Sequence, residues 1–313
     1  MKFALNIPLA SLVPRAPAGQ RAAIVRTMAK VLEDAGLSAC LTSEHPAPSA
    51  QWLHNDPGAH DCVDPLTALA FVAGATERLM VFTNVLILPF RNPFLAAKQA
   101  ASLQVMSDNR LLLGVGVGYM QAEFEALGVD FKERGALMDE AIETMRLAWS
   151  GGAVSAKGRH FDAVGIEPRP VPDRLPPIWV GGGSDRALER AAMHGDGWVP
   201  YFTVPTNSPE VRKSAVVDMD HFGEKLAKLR ARRDELGRSG PFDLAVAPPF
   251  RPKEASGANA HRFLDEVHQL AEHGVNWIWT SVPAASLEEY CDIVRWFGQD
   301  VVGAWAKGQT TKG

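Results

Sequence analysis

The sequence predicts an α/β fold, one (β/α)₈ TIM barrel running through residues 1–313 with insertions at its C-terminal rim. Eight short apolar runs rich in β-branched residues recur, each followed by a segment of helical period, the signature of βα units around a parallel sheet. The turns carry matching punctuation, with capping residues and proline where helices start and glycine where they stop. No stretch rich in Pro, Gly or Ser splits the chain, and a doubly wound sheet would usually need fewer units or a second domain.

The first unit is a strand at Lys2–Pro8 and a helix at Gln20–Ala35, closed at Ala35-Gly36-Leu37 by a glycine suited to a left-handed residue. The second has a strand at Ser38–Ser43, an insertion at Ala47–Val63 and a helix at Pro65–Ala75. Asp64 caps that helix, and Pro65 sits at the first helical position, where a missing N–H costs nothing. The third unit, Leu79–Leu88 and Pro93–Met106, repeats the device with Asn92-Pro93. The fourth pairs Arg110–Val117 with Gly135–Trp149, after which Gly151–Leu175 reads as a polar insertion. The fifth is Pro177–Gly181 and Asp185–His194; the sixth is Gly197–Pro200, an insertion at Phe202–Met219, and Asp220–Leu236. The seventh, Phe242–Ala247 and Ala258–His273, ends at Gly274. In the eighth, Asn276–Ser281 and Leu287–Phe297, a Ser286-Leu287-Glu288-Glu289 capping box precedes an apolar face of Leu287, Tyr290, Val294 and Phe297 that should pack on the barrel. Lys307 to Gly313 reads as a frayed tail.

Composition narrows the function. With 46% apolar and 22% charged residues the chain can bury a full core. A formal charge of -4 speaks against a nucleic-acid partner, which would call for a basic face. Cys40, Cys62 and Cys291 are odd in number and widely spaced, which fits a reducing compartment rather than a disulfide framework or a metal knuckle. No apolar run reaches the ~18 residues of a membrane span, and the start lacks the regions of a secretory signal, so a cytoplasmic location without membrane contact is expected.

Three stretches carry chemistry. Leu111-Leu112-Leu113-Gly114-Val115-Gly116-Val117-Gly118 ends a buried strand in glycines that let backbone approach a ligand. It is no dinucleotide fingerprint, because Gln121 stands where the third glycine belongs. Trp179-Val180-Gly181-Gly182-Gly183-Ser184-Asp185 runs from strand through glycines into a capped helix, which reads either as an anion site or as an ordinary βα turn. It lacks the lysine ending of a P-loop. Thr42-Ser43-Glu44-His45 ends a strand in a carboxylate and an imidazole; strand alternation sends His45 to the other side from Glu44, at the rim, where it reads as an acid/base or a hydrogen-bonded rim residue. His54, Asp56, His60 and Asp61 have no metal-ligand spacing, and no metal is expected.

Leu86-Ile87-Leu88-Pro89-Phe90-Arg91-Asn92-Pro93, Leu111 to Tyr119, Glu123-Phe124-Glu125-Ala126-Leu127-Gly128, Pro177 to Gly182 and Gly195-Asp196-Gly197-Trp198 stand in an order and spacing that resembles the luciferase-like monooxygenase superfamily. The resemblance covers roughly residues 1–200 and is greatest to the actinobacterial branch that uses the deazaflavin coenzyme F420. It implies a barrel whose mouth holds a tricyclic redox ring. The phosphate side of the cofactor would then lie at Gly182, Gly183 and Ser184, and Gly116, Val117 and Gly118 would border its tail. A non-proline cis peptide bulging against the ring is implied at Asn84-Val85, and Glu44-His45 matches the family's acidic-His pair, with His45 facing substrate. Trp52 and Trp198 are expected to wall the substrate pocket.

The function so implied is hydride transfer between F420 and a small organic substrate. The alternative cofactor is FMN, in a monooxygenase supplied with reduced flavin by a separate reductase; Glu44 stands where deazaflavin members more often carry Asp. An inactive cofactor-binding barrel and a sugar-phosphate barrel enzyme are the readings from other classes. Relatives of this kind imply a homodimer.

Overall fold

The computed structural model describes residues 1–55, 62–202 and 214–310. Its strands are β1 (Lys2–Asn6), β2 (Ala39–Thr42), β3 (Met80–Ile87), β4 (Leu111–Gly116), β5 (Val154–Lys157), β6 (Asp162–Ile166), β7 (Ile178–Gly181), β8 (Gly197–Val199), β9 (Asp243–Val246) and β10 (Trp277–Thr280). All but β5 and β6 close a parallel barrel in the order β1-β10-β9-β8-β7-β4-β3-β2, so the expected TIM barrel is the observed one. Each barrel strand falls inside the range its apolar run marks.

The helix starts behave as their chemistry dictates. Asp64 accepts from the N–H of Thr67 at 2.8 Å, Asn92 from Phe94 at 3.0 Å, and Ser184 from Ala187 at 3.2 Å. Gly36 and Gly274 hold φ of 78° and 86°, the left-handed region that only glycine enters freely. Ser286 caps its helix, but the Glu289 carboxylate reaches back to the N–H of Ala285 rather than that of Ser286. Two further differences concern the insertions and the tail. Gly151–Leu175 contains the antiparallel β5/β6 hairpin, whose turn is held by Glu140: its carboxylate accepts from the N–H groups of His160 and Phe161 at 3.0 and 2.9 Å. Of the tail expected to fray from Lys307 to Gly313, residues 307–310 belong to a helix, Gly303–Thr310, and the last three lie outside the described residues; Trp305 of that helix packs edge-on against Phe3 at 6.3 Å.

Strand alternation divides the apolar side chains into two sets. Ala4, Ala39, Leu41, Phe82, Leu112, Trp179, Val199, Ala245 and Trp277 fill the barrel interior. Their neighbours Phe3, Leu5, Cys40, Val81, Leu113, Val180, Trp198 and Ile278 point outward under the helices. Trp179 stands between Phe82 and Trp277, with ring centroids 5.0 and 5.2 Å away, and the three rings plug the barrel below its mouth. The indole N–H groups of Trp179 and Trp277 find no partner there. Each unmet donor costs about 1–3 kcal/mol, but an indole buries ~150–250 Å² and so contributes about 4–6 kcal/mol at 25 cal/mol per Å². Packing wins.

Candidate active site

The C-terminal ends of β2, β3, β4 and β7 build the mouth. Between Thr83 and Leu86 the β3–β4 register shifts, and the Asn84–Val85 peptide in this bulge is cis. Both residues are half-buried, and Val85 reaches over β4 to β7. A Cβ on Gly116 would sit 2.6 Å from one Val85 methyl, and a Cβ on Gly181 would sit 2.8 Å from the other. These glycines are therefore required by close approach. Together with Val85 they form a low apolar floor. Gly118, with φ of 75°, is hemmed by Ile87 and Phe124, each 2.9 Å from where a Cβ would stand, and Val117 beside it is half-buried.

His45 sits just past β2 with its side chain 8% exposed. Its Nδ1 lies 3.1 Å from a carboxylate oxygen of Glu123, whose other oxygen accepts the N–H of Ala47 at 3.2 Å. Its Nε2 lies 3.3 Å from the Tyr119 hydroxyl. Trp52, on the short helix Ala50–Asn55, packs against the imidazole at 5.2 Å between ring centroids and against Tyr119 at 6.1 Å. The structure thus brings His45 and Trp52 together with two side chains not singled out above, Tyr119 and Glu123. Tyr119 follows the glycines of β4, and Glu123 lies on the helix Gln121–Ala126. A carboxylate one residue before Phe124, on the buried face of that helix, is the sequence signal for a partner elsewhere, since an acid is rarely buried unpaired.

Glu44 is turned away from this cluster, as alternation requires. Its carboxylate accepts the N–H of Ile87 at 2.7 Å and both terminal nitrogens of Arg91. The pair is nearly dry, with side chains 3% and 15% exposed, and ties the end of β2 to the end of β3. In place of the acidic-His pair that the sequence implies at the reacting centre, Glu44 forms an ion pair that fixes the loop carrying His45.

Two other expectations need correction. The Gly182 N–H donates to the Val199 carbonyl at 3.0 Å and that of Gly183 to the Ser214 carbonyl at 2.8 Å, while Ser184 caps its own helix. These groups are already engaged, so the anion site read from the two glycines has lost their amides. Gly183 is also packed shut, because a Cβ there would stand 2.6 Å from the Ser214 oxygen. Trp198 does not wall the mouth: alternation along β8 sends Val199 inward and Trp198 outward, where it is fully buried and stacks on Phe222 at 5.9 Å. Its indole N–H donates to the Gly182 carbonyl at 2.8 Å.

Asp56, His60 and Asp61 lie outside the described residues. Among those described, no group of three or more His, Cys, Asp or Glu is placed to hold a metal ion. Clefts of about 730 and 210 Å³ open elsewhere, one lined by Arg26, Lys30 and Arg295 and one by Lys2, Asp243 and Trp277 at the N-terminal end of the barrel. Neither touches His45. The mouth is the better site, because among the described residues it gathers an imidazole, a phenol and a carboxylate at the C-terminal ends of barrel strands, which neither cleft does.

A closed (β/α)₈ barrel with such a cluster at its C-terminal face is the arrangement in which barrel enzymes carry their active sites. Residues 1–268 match the luciferase-like monooxygenase family, and the chain belongs to that family; it spans 59% of the length of the first curated relatives it matches. It is 31% identical over 283 residues to an F420-dependent glucose-6-phosphate dehydrogenase of Amycolatopsis mediterranei, covering 83% of this chain and 82% of that one. It is 34% identical over 184 residues to an uncharacterized protein of Mycobacterium tuberculosis, a match spanning 59% of each chain. Solved structures agree in fold. A monooxygenase, RslO1, from Streptomyces bottropensis superposes with a TM-score of 0.74 at 20% identity, covering 97% of this chain and 100% of that one. An F420-dependent secondary alcohol dehydrogenase in complex with an F420-acetone adduct gives 0.72 at 16% identity, covering 96% and 98%. The oxygenating constituent of a type II Baeyer-Villiger monooxygenase of Pseudomonas putida in complex with FMN gives 0.63 at 15% identity, covering 96% and 98%.

Proposed function

We propose that this protein transfers a hydride between deazaflavin coenzyme F420 and a small organic alcohol or carbonyl compound bound at the barrel mouth. The observation that carries this reading is the floor of Val85, Gly116 and Gly181. It is apolar and without side chains at its two glycines, so a planar tricyclic ring would lie against it; across the barrel on β10 the indole N–H of Trp279 has no hydrogen-bond partner. The relative named for F420 and covering most of this chain favours the deazaflavin. FMN is the second reading, because Glu44 occupies a position where flavin members carry it and an FMN-bound neighbour shares the fold.

When bound, the deazaflavin supplies one hydride-transferring carbon. The chain's own residues do the rest. Val85 and its flanking glycines support the ring, Asn84, Val117 and Gly118 border it, and Trp52 screens His45 from water. His45 manages the proton that accompanies the hydride, held by Glu123. Since the Gly182 and Gly183 amides are engaged, an anionic tail would be met by the first turn of the helix at Asp185–His194, where Lys225 offsets Asp185 at 2.9 Å. The protein is further proposed to act in the cytoplasm as a homodimer, with no nucleic acid or membrane partner; a separate cofactor reductase belongs only to the FMN reading.

Spectral titration of the purified protein with F420 and, separately, FMN tests the proposal. Micromolar binding of F420 with no FMN binding is expected, and the reverse result would replace the deazaflavin reading by the flavin one.

A further inference from the structure

Glu123, His45 and Tyr119 form a line of increasing exposure. The Glu123 side chain is 2% exposed, that of His45 is 8%, and Tyr119 is half-buried. A carboxylate can only accept, so the 3.1 Å contact to Glu123 fixes the proton on Nδ1 of His45. In the neutral ring this leaves the Nε2 lone pair facing the Tyr119 hydroxyl at 3.3 Å. Both ring nitrogens are thus engaged from within the protein, and the outermost titratable atom of the line is the phenol oxygen.

We propose that Tyr119 is the residue that exchanges a proton with the substrate oxygen, with His45 relaying that proton behind it and Glu123 acting as a positioning residue. This rests on the reading that the mouth hosts hydride transfer at a carbon bearing oxygen. As a hydride from a reduced deazaflavin reaches a carbonyl carbon, the C=O π pair becomes an oxygen lone pair. The Tyr119 O–H bond breaks and its proton moves to that oxygen. The phenolate takes the Nε2 proton of the His45 imidazolium, which ends neutral with Nδ1–H still on Glu123. Alcohol oxidation runs the same steps backwards. A direct role for the imidazole would require Tyr119 to leave Nε2.

The closing experiment reads the relay without cofactor. The histidines, nine in the sequence, are labelled with ¹⁵N and His45 is assigned through His45→Asn. In the wild-type protein the neutral His45 ring should be the Nδ1–H tautomer, which is the minor form of free histidine. In Glu123→Gln, the Ala47 N–H keeps the amide oxygen in place and turns the NH₂ toward Nδ1, so the tautomer should flip to Nε2–H. Tyr119→Phe, which keeps the ring against Trp52, should move the Nε2 resonance and leave the tautomer alone. A wild-type Nε2–H tautomer, or an Nε2 resonance indifferent to Tyr119→Phe, overturns the relay. With F420 and a panel of secondary alcohols and their ketones, Tyr119→Phe should lower kcat about 100-fold or more with cofactor KM unchanged. Wild-type kcat in that variant overturns the role of Tyr119. If the wild-type protein turns over nothing in the panel, the failure is that of the proposed function, and the tautomer measurement alone decides the relay.

Discussion

Gly116→Ala probes the floor of the mouth directly. The new Cβ would stand 2.6 Å from a Val85 methyl carbon, whereas carbon atoms in contact prefer about 3.5–4.0 Å. About 1 Å of movement is needed, and Val85 is poorly placed to give it. Its χ1 is stiff, as in any β-branched residue, and its other methyl already fills the slot left by Gly181. Overpacking of this size costs about 1–3 kcal/mol. At roughly 2 °C of Tm per kcal/mol for a chain of this length, the variant should melt about 2–6 °C lower. The raised Val85 should also weaken F420 binding. Val85→Ala removes both methyls, so the double variant Val85→Ala/Gly116→Ala should recover Tm and affinity relative to the sum of the single changes, a coupling of about 1 kcal/mol or more. Differential scanning calorimetry and spectral titration measure both quantities. Strict additivity, or a Gly116→Ala protein with wild-type Tm and affinity, would refute the contact between floor and cofactor.

Three further outcomes are expected. Burial works against the charge on Glu33, but the N–H of Arg78, the Lys30 ammonium and the N–H groups of Leu79 and Glu77 outweigh it and hold its pKa at about 2. Because the folded value lies below the unfolded one of roughly 4.3, this carboxylate stabilises the fold above that pH, and its contribution is lost as pH falls toward 2. Glu33→Gln should therefore cost on the order of 3 kcal/mol at pH 7 in urea melts, with the difference from wild type closing between about pH 4.5 and pH 2. Arg91→Met leaves the buried Glu44 carboxylate without its partner and should cost about 3–5 kcal/mol by denaturant unfolding, most of which Glu44→Gln in the same chain should restore. Trp198→Phe strands the Gly182 carbonyl and should lower stability by about 1–3 kcal/mol while leaving a ligand in the mouth without a lost contact, so stability and substrate KM should separate.

The barrel was legible because its information is local. Short apolar, β-branched runs, Asp64-Pro65 and Asn92-Pro93 at helix starts, and Gly36 and Gly274 at helix ends act within a few residues of chain, and each does the same thing in the structure. The floor was legible in part, since glycines at the end of a buried strand announce a close approach. What approaches Gly116 and Gly181, a single valine from β3, was not, because the contact joins three strands.

The linear chain determined the eight-fold repeat, the helix boundaries and the placing of His45 at a rim, since each depends on neighbours within a few residues. Only the tertiary structure decided that Glu44 belongs to Arg91, that Trp198 faces the helices, that the Gly182 and Gly183 amides are engaged, and that Glu123 and Tyr119 close on the two nitrogens of His45. These partners lie 47 to 78 residues apart in the ion pair and the imidazole–carboxylate contact. Propensity and pattern encode which way a side chain points. Which group meets it there is set by how the strands register around the closed barrel.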